Sequence, residues 1–200
     1  MIRVREELGR GDYALIGALI PAGSRVLDLG CGDGALLAWL KENKQVEVRG
    51  IESKRELVLA AIGRGVTVFQ GDLYQSLKEF PDQAFDYVIL SQTLQETRDP
   101  LAVITAMLRV GRHAIVTFPN FGHWRVRLAH LISGRAPKTR LFPYEWYDSP
   151  NVHFLTVLDF EELIVSQHWV VELRRFLAGH RQVEVLPNLL AEVAVYLIRS

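Results

Sequence analysis

Cysteine is nearly absent from this 200-residue chain, where Cys31 stands alone. That excludes an internal disulfide and any zinc site built from several cysteines. Net charge is absent as well, with 23 basic residues set against 23 acidic ones. No overall field draws the chain to nucleic acid or an anionic membrane, which leaves only a local patch for such contacts. Long apolar runs are missing too. None approaches bilayer length, and the first residues do not resemble a signal peptide, so a cytoplasmic location is expected. No internal repeat or low-complexity tract is visible. Packing material is plentiful by contrast: 49% of residues are hydrophobic and four are tryptophan, the composition of a packed globule. The length suits a single domain over 1–200.

Strand-like and helix-like segments alternate along the chain. An amphipathic helix is expected over Arg3 to Ile20, followed by a turn at Pro21-Ala22-Gly23-Ser24. Strands follow at Arg25 to Leu29, Val46 to Ile51, Val66 to Gln70, Phe85 to Leu90 and His113 to Phe118. Helices over Ala35 to Lys41, Arg55 to Ile62 and Pro100 to Val110 separate them. The nearly continuous apolar character of 85–90 suits a strand buried on both faces. Beyond Pro119 a helix fits 121–132, and a proline- and aromatic-rich ordered loop fits 133–152. Asp159 reads as the N-cap of a helix through Gln167. Trp169 to Phe176 and Val193 to Ile198 read as antiparallel closing strands. The expected class is α/β: a doubly wound, mostly parallel, seven-stranded sheet with an antiparallel C-terminal strand and an aromatic and basic insertion at about 120–152.

The densest motif is Asp28-Leu29-Gly30-Cys31-Gly32-Asp33-Gly34. A buried strand ends in an acid, breaks into alternating glycines and reopens as a helix, the arrangement in which open α/β sheets hold nucleotides. A pyrophosphate cradle avoids carboxylates, and here Asp28 and Asp33 flank a G-x-G-x-G turn. A cationic ligand without phosphate fits better, and S-adenosylmethionine is such a ligand. The pattern resembles the first motif of class I S-adenosylmethionine-dependent methyltransferases. Glu52, ending the second strand about twenty residues on, stands where an acid accepts hydrogen bonds from ribose hydroxyls; as a strand-end acid it is expected to be exposed. Lys54 is expected to point to solvent. Asp72 closes the third strand, as an adenine contact or as a plain turn aspartate. The candidate cofactor-binding set is Asp28, Gly30, Cys31, Gly32, Gly34, Glu52, Asp72, Leu73 and Ser91, with Cys31 read as a small filler and no metal site.

No Asp, Lys or His occupies Ser91-Gln92-Thr93-Leu94-Gln95, where a catalytic base would be sought. His123, His153 and Tyr144 are the visible substitutes, and no catalytic residue is assigned. From Trp124 to Arg140 basic residues interleave with Trp124, Leu128, Leu131 and Ile132, which describes a helix with one apolar and one basic face. A protein partner suits that surface better than nucleic acid.

Several further segments are specific: Phe85-Asp86-Tyr87-Val88-Ile89-Leu90-Ser91-Gln92-Thr93-Leu94-Gln95, Met107-Leu108-Arg109-Val110-Gly111-Arg112, Phe118-Pro119-Asn120-Phe121-Gly122-His123-Trp124, Pro143-Tyr144-Glu145-Trp146-Tyr147-Asp148 and Pro187-Asn188-Leu189-Leu190-Ala191-Glu192. Together with the glycine loop they resemble the methionine biosynthesis protein MetW family over nearly the full chain. The resemblance implies a bacterial, cytosolic protein of class I methyltransferase-like fold that associates with homoserine O-acyltransferase and supports its activity. A site for S-adenosylmethionine or S-adenosylhomocysteine would then sense the pathway's end product. The alternative is a working methyltransferase on an unidentified acceptor.

Overall fold

The computed structural model describes residues 11–139 and 142–200. Of the expected opening helix, Arg3 to Arg10 lie outside the described residues, as does Arg140. The helix α1 runs Gly11–Leu19, and the parallel strands are β1 (Arg25–Leu29), β2 (Glu47–Glu52), β3 (Thr67–Gln70), β4 (Phe85–Ser91) and β5 (Gly111–Pro119). Between them lie α2 (Ala35–Lys44), α3 (Arg55–Gly63), α4 (Leu73–Leu77), a single 3-10 turn (Leu94–Glu96) and α5 (Pro100–Val110). After β5 come α6 (Trp124–Ser133), α7 (Val157–Ser166), β6 (Val170–Ala178), β7 (Arg181–Gln182), α8 (Pro187–Leu190) and β8 (Val193–Arg199).

The strands form one sheet of order β3-β2-β1-β4-β5-β8-β6-β7. β8 enters between β5 and β6, antiparallel to both. The seven expected strands are all present. The eighth, β7, adds only two residues, which hairpin back onto β6.

The strands read as continuous apolar runs because the sheet buries both faces. Along β4, Val88 and Leu90 enter one core cluster while Ile89 enters the other; Ala114, Ile115 and Val116 of β5 alternate in the same way. α5, α7 and Tyr196 pack on the first face, α1 and α2 on the second. Among the described residues no helix is long and apolar enough to cross a membrane.

One helix start differs from expectation. α7 begins at Val157, with Thr156 as its N-cap; Asp159 is the N3 partner of a capping box, its carboxylate accepting from the Thr156 N–H at 2.8 Å. Taking Asp159 as the cap sets the helix start three residues late, since either member of such a box looks like a cap in sequence.

Candidate functional site

The order of strands reverses between β1 and β4, and the loops leaving their C-terminal ends splay apart there, as ligand clefts in open α/β sheets require. A cleft of about 290 Å³ occupies this position, near the lower end of the usual ligand-pocket range. Gly30, Gly32, Glu52, Leu73 and Ser91 line it. Gly32 has φ +58°, and a side chain added there would meet nothing within 4 Å, so its missing Cβ keeps the cleft open.

Glu52 is buried, not exposed as expected, at 7%. Its Oε1 accepts from the N–H groups of Ser53 and Lys54, each at 2.9 Å, and its Oε2 from the Gly32 N–H at 3.0 Å. The carboxylate thus pins the glycine loop to the end of β2. A carboxylate has about four acceptor positions, so Oε2 retains one for an incoming hydroxyl.

The remaining expected residues do not line the cleft. Cys31 turns its sulfur toward Gly50 in the core beside β2. Burial pushes its thiol far above the ordinary range, and Asp28, Glu52 and Asp33 add to this. Gly34 starts α2 with φ +75°, where a Cβ would lie 2.8 Å from that of Ala61; it serves the close approach of α2 to α3. Asp72 is the N-cap of α4, its Oδ1 accepting from the Gln75 N–H at 2.9 Å. Asp28 is buried within β1. Asp33 pairs outward with Arg64.

Residues distant in sequence complete the lining: Tyr13 from α1, Ser53, Lys54 and Leu57 after β2, then Gln92, Thr93 and Glu96 after β4. Lys54, expected to point to solvent, is exposed and stands at the edge of this lining. Burial lifts the Glu96 carboxyl above its usual range, with Lys54 opposing and Glu52 adding to the rise. Gln92 adopts φ +52°, unusual for a residue with a Cβ. Its Nε2 donates to Oδ2 of buried Asp12 at 3.1 Å, which also accepts from Ser91 Oγ at 3.1 Å and Thr117 Oγ1 at 3.3 Å. This acid therefore ties α1 to the cleft edge of β4 and β5.

The base candidates lie elsewhere. His123 is the N-cap of α6, its Nδ1 accepting from the Arg125 N–H. His153 and Tyr144 belong to the segment after α6, and neither lines the cleft. That segment nevertheless touches the cleft's rim, because the Val152 and His153 N–H groups donate to the Gln95 carbonyl at 2.8 and 3.0 Å.

The whole chain is similar to known proteins. The family model described as "Methionine biosynthesis protein MetW" matches residues 10–198. The chain belongs to the MetW family. A curated relative, the bifunctional methionine biosynthesis protein MetXA/MetW of Rhodopirellula baltica, is 39% identical over 190 residues, covering 88% of this chain but 30% of its own length. The chain thus spans less than a third of that relative. Among solved structures, an S-adenosylmethionine-dependent methyltransferase from Mesorhizobium loti aligns with TM-score 0.71 at 18% identity, covering 96% of this chain and 99% of that one. A possible histamine N-methyltransferase from Thermotoga maritima aligns with TM-score 0.67 at 17% identity, covering 94% and 87%. At such identities the likeness establishes the class I methyltransferase-like fold alone.

For a MetW-family chain, the fit of the cleft to S-adenosylmethionine turns on charge. Glu52 and Glu96 outnumber Lys54 in the lining, which suits a sulfonium and disfavours phosphate.

His123 also sets a pH dependence. Burial lowers its pKa from the ordinary 6.5, Glu192 opposing and Arg125 reinforcing the effect. The folded chain therefore binds this proton less readily than the unfolded chain. Its contribution to stability is complete above pH 6.5 and declines as pH falls through that value. Exchange of His123→Asn keeps a capping acceptor and should flatten the fall in melting temperature between about pH 7 and pH 5. An unchanged slope would assign the effect to another group.

Proposed function

We propose that this chain is an accessory subunit in methionine biosynthesis that binds homoserine O-acyltransferase and supports its activity, with S-adenosylmethionine or S-adenosylhomocysteine held in the glycine-loop cleft. The observation that carries the reading is the curated relative, in which the matched segment occupies 30% of a longer bifunctional MetXA/MetW chain. We take the MetXA part as the acyltransferase. Two activities joined in one polypeptide in one organism commonly meet as a complex in another, since fusion supplies a high effective concentration of one for the other. Glu52 would hold the ribose, Gly30 and Gly32 would admit the ligand beside the backbone, and Leu73 would pack on the base. The hydrogen bonds from Val152 and His153 to Gln95 give the cleft a physical route to the outer surface, so that ligand occupancy could bias the complex.

One observation favours methyl transfer instead. Glu96 supplies, in the cleft, an acid with a raised pKa of the kind a general base requires, immediately after the 91–95 segment that lacks one.

The deciding experiment is homoserine acyl transfer by the acyltransferase of the same genome, with and without this protein and with added S-adenosylmethionine. Stimulation of roughly tenfold is expected, a coupling of typical size, and it should change with the added ligand. Absence of both stimulation and complex would remove the accessory reading and leave an independent methyltransferase. Stimulation that ignores the ligand would keep the subunit role and discard the sensor.

A further inference from the structure

α6 wears its apolar stripe on the outside. Trp124, Leu128, Leu131 and Ile132 recur at i, i+4, i+7 and i+8, the spacing that ordinarily seats a helix on a core. Here they are between 41 and 82% exposed, and Val126 is the buried residue of the helix. The stripe borders an open groove of about 1070 Å³ whose far wall includes Trp146, itself exposed. Among the described residues Arg125, Arg135 and Lys138 rim it, against one acid in the lining, Glu145, which is paired with Lys138, and Arg125 stands 3.9 Å from Glu192 beside it. Arg125 lies over the Trp124 ring, 5.3 Å from its centroid.

Resting on the function proposed above, we propose that this groove is where homoserine O-acyltransferase docks, through an apolar segment of that enzyme bordered by acidic residues. An unpartnered apolar patch framed by one sign of charge marks an interaction site, and its complement must be acidic at the rim. Tryptophan and arginine are among the side chains that most often anchor protein interfaces, and here Arg125 of the rim stacks on Trp124 of the stripe. A second copy of the chain is a poorer occupant: a two-fold contact presents the same patch from both sides, bringing Arg125 and Arg135 toward their own equivalents. Nucleic acid would leave the apolar stripe uncovered.

The test is titration of the purified full-length chain against the acyltransferase of the same genome, followed calorimetrically, with sedimentation of the free chain in parallel. Leu128→Glu and Ile132→Glu replace exposed groove residues and should leave the melting temperature unaltered, whereas Arg125→Glu also loses a 3.9 Å contact with Glu192 and is expected to melt slightly lower. Each is expected to weaken the complex roughly tenfold or more, and Arg125→Glu should also reduce the salt dependence. Leu59→Glu, at an equally exposed apolar position on α3, should bind as the wild type does. A complex that all three groove variants form undiminished would place the interface elsewhere while leaving the proposed function standing. Groove variants that convert a dimer of this chain to a monomer, with enzyme affinity retained, would give the groove to a second copy and overturn the proposal. Failure of the wild-type chain to bind the enzyme at all would remove both the function and the docking site.

Discussion

Replacing Glu52 by alanine is expected to lower affinity for S-adenosylmethionine by roughly 10- to 100-fold, because a hydrogen bond from a ribose hydroxyl to the carboxylate contributes roughly 1.5–3 kcal/mol. The substitution acts on the fold as well. Three N–H groups, those of Gly32, Ser53 and Lys54, lose their acceptor together, and the glycine loop loses its tie to β2. The melting temperature should therefore fall, contrary to what an exposed strand-end acid would give. Glu52→Gln separates the two effects. Its amide oxygen can still accept from Ser53 and Lys54, while its –NH2 would face the Gly32 N–H, donor against donor. This variant should retain most of the stability and still lose affinity. Calorimetric titration well below the melting temperature reads the binding, and thermal melts read the fold. Unchanged affinity in both variants would mean that the cleft is not a nucleoside site.

Much of this site was legible because its determinants are local. The glycine loop and Glu52 each sit at the end of an apolar strand, and strands buried on both faces announce themselves as uninterrupted hydrophobic runs. The helix at Pro100–Val110 was delimited to the residue, since Asp99 caps it and Pro100 fills its first turn. What escaped was short or tertiary. α4, α8 and the turn at Leu94–Glu96 span three to five residues, too few for a helical period to register. A cap signal was available at Asp72, whose side chain precedes an apolar pair and bonds the Gln75 N–H three residues on. Read that way, Asp72 caps α4 through Oδ1. Tyr13 reaches the cleft through α1, which Asp12 ties to the ends of β4 and β5. The exposure of Glu52 was misjudged for the same reason: its partners are backbone groups of loops that fold back on it, and no side-chain pattern records them. Conversely, the apolar stripe of α6 was visible in sequence, but its outward orientation was not.

Asn120→Ala should cost the protein on the order of 3–5 kcal/mol and lower its melting temperature by roughly 6–20 °C. Asn120 is fully buried and joins three elements through one amide. Its Oδ1 accepts from the Gly122 N–H at 2.9 Å and the Val157 N–H at 3.3 Å, while its Nδ2 donates to the carbonyls of Ala191 at 2.8 Å, Asn188 at 3.0 Å and Pro187 at 3.4 Å. The start of α7, the turn before α6 and the end of α8 therefore converge on it, which gives the Phe118–Trp124 and Pro187–Glu192 motifs a structural meaning apart from any ligand. Alanine strands most of these groups in a dry interior, the Pro187 carbonyl alone keeping a donor, the Ala191 N–H at 2.9 Å. Asn120→Asp is the sharper probe. It keeps an acceptor for Gly122 and Val157 but sets its second oxygen against three carbonyls, so the new carboxyl must hold a proton to fit and its folded pKa rises. The variant should approach wild-type stability below about pH 4, the ordinary aspartate value, and lose it as pH increases toward the raised folded value. The alanine loss should carry no such pH dependence. If the aspartate variant melted like the wild type at pH 7, the three carbonyls would not be held by this amide. The entry to α6, and with it the outward face that α6 presents, would then be set by some other contact.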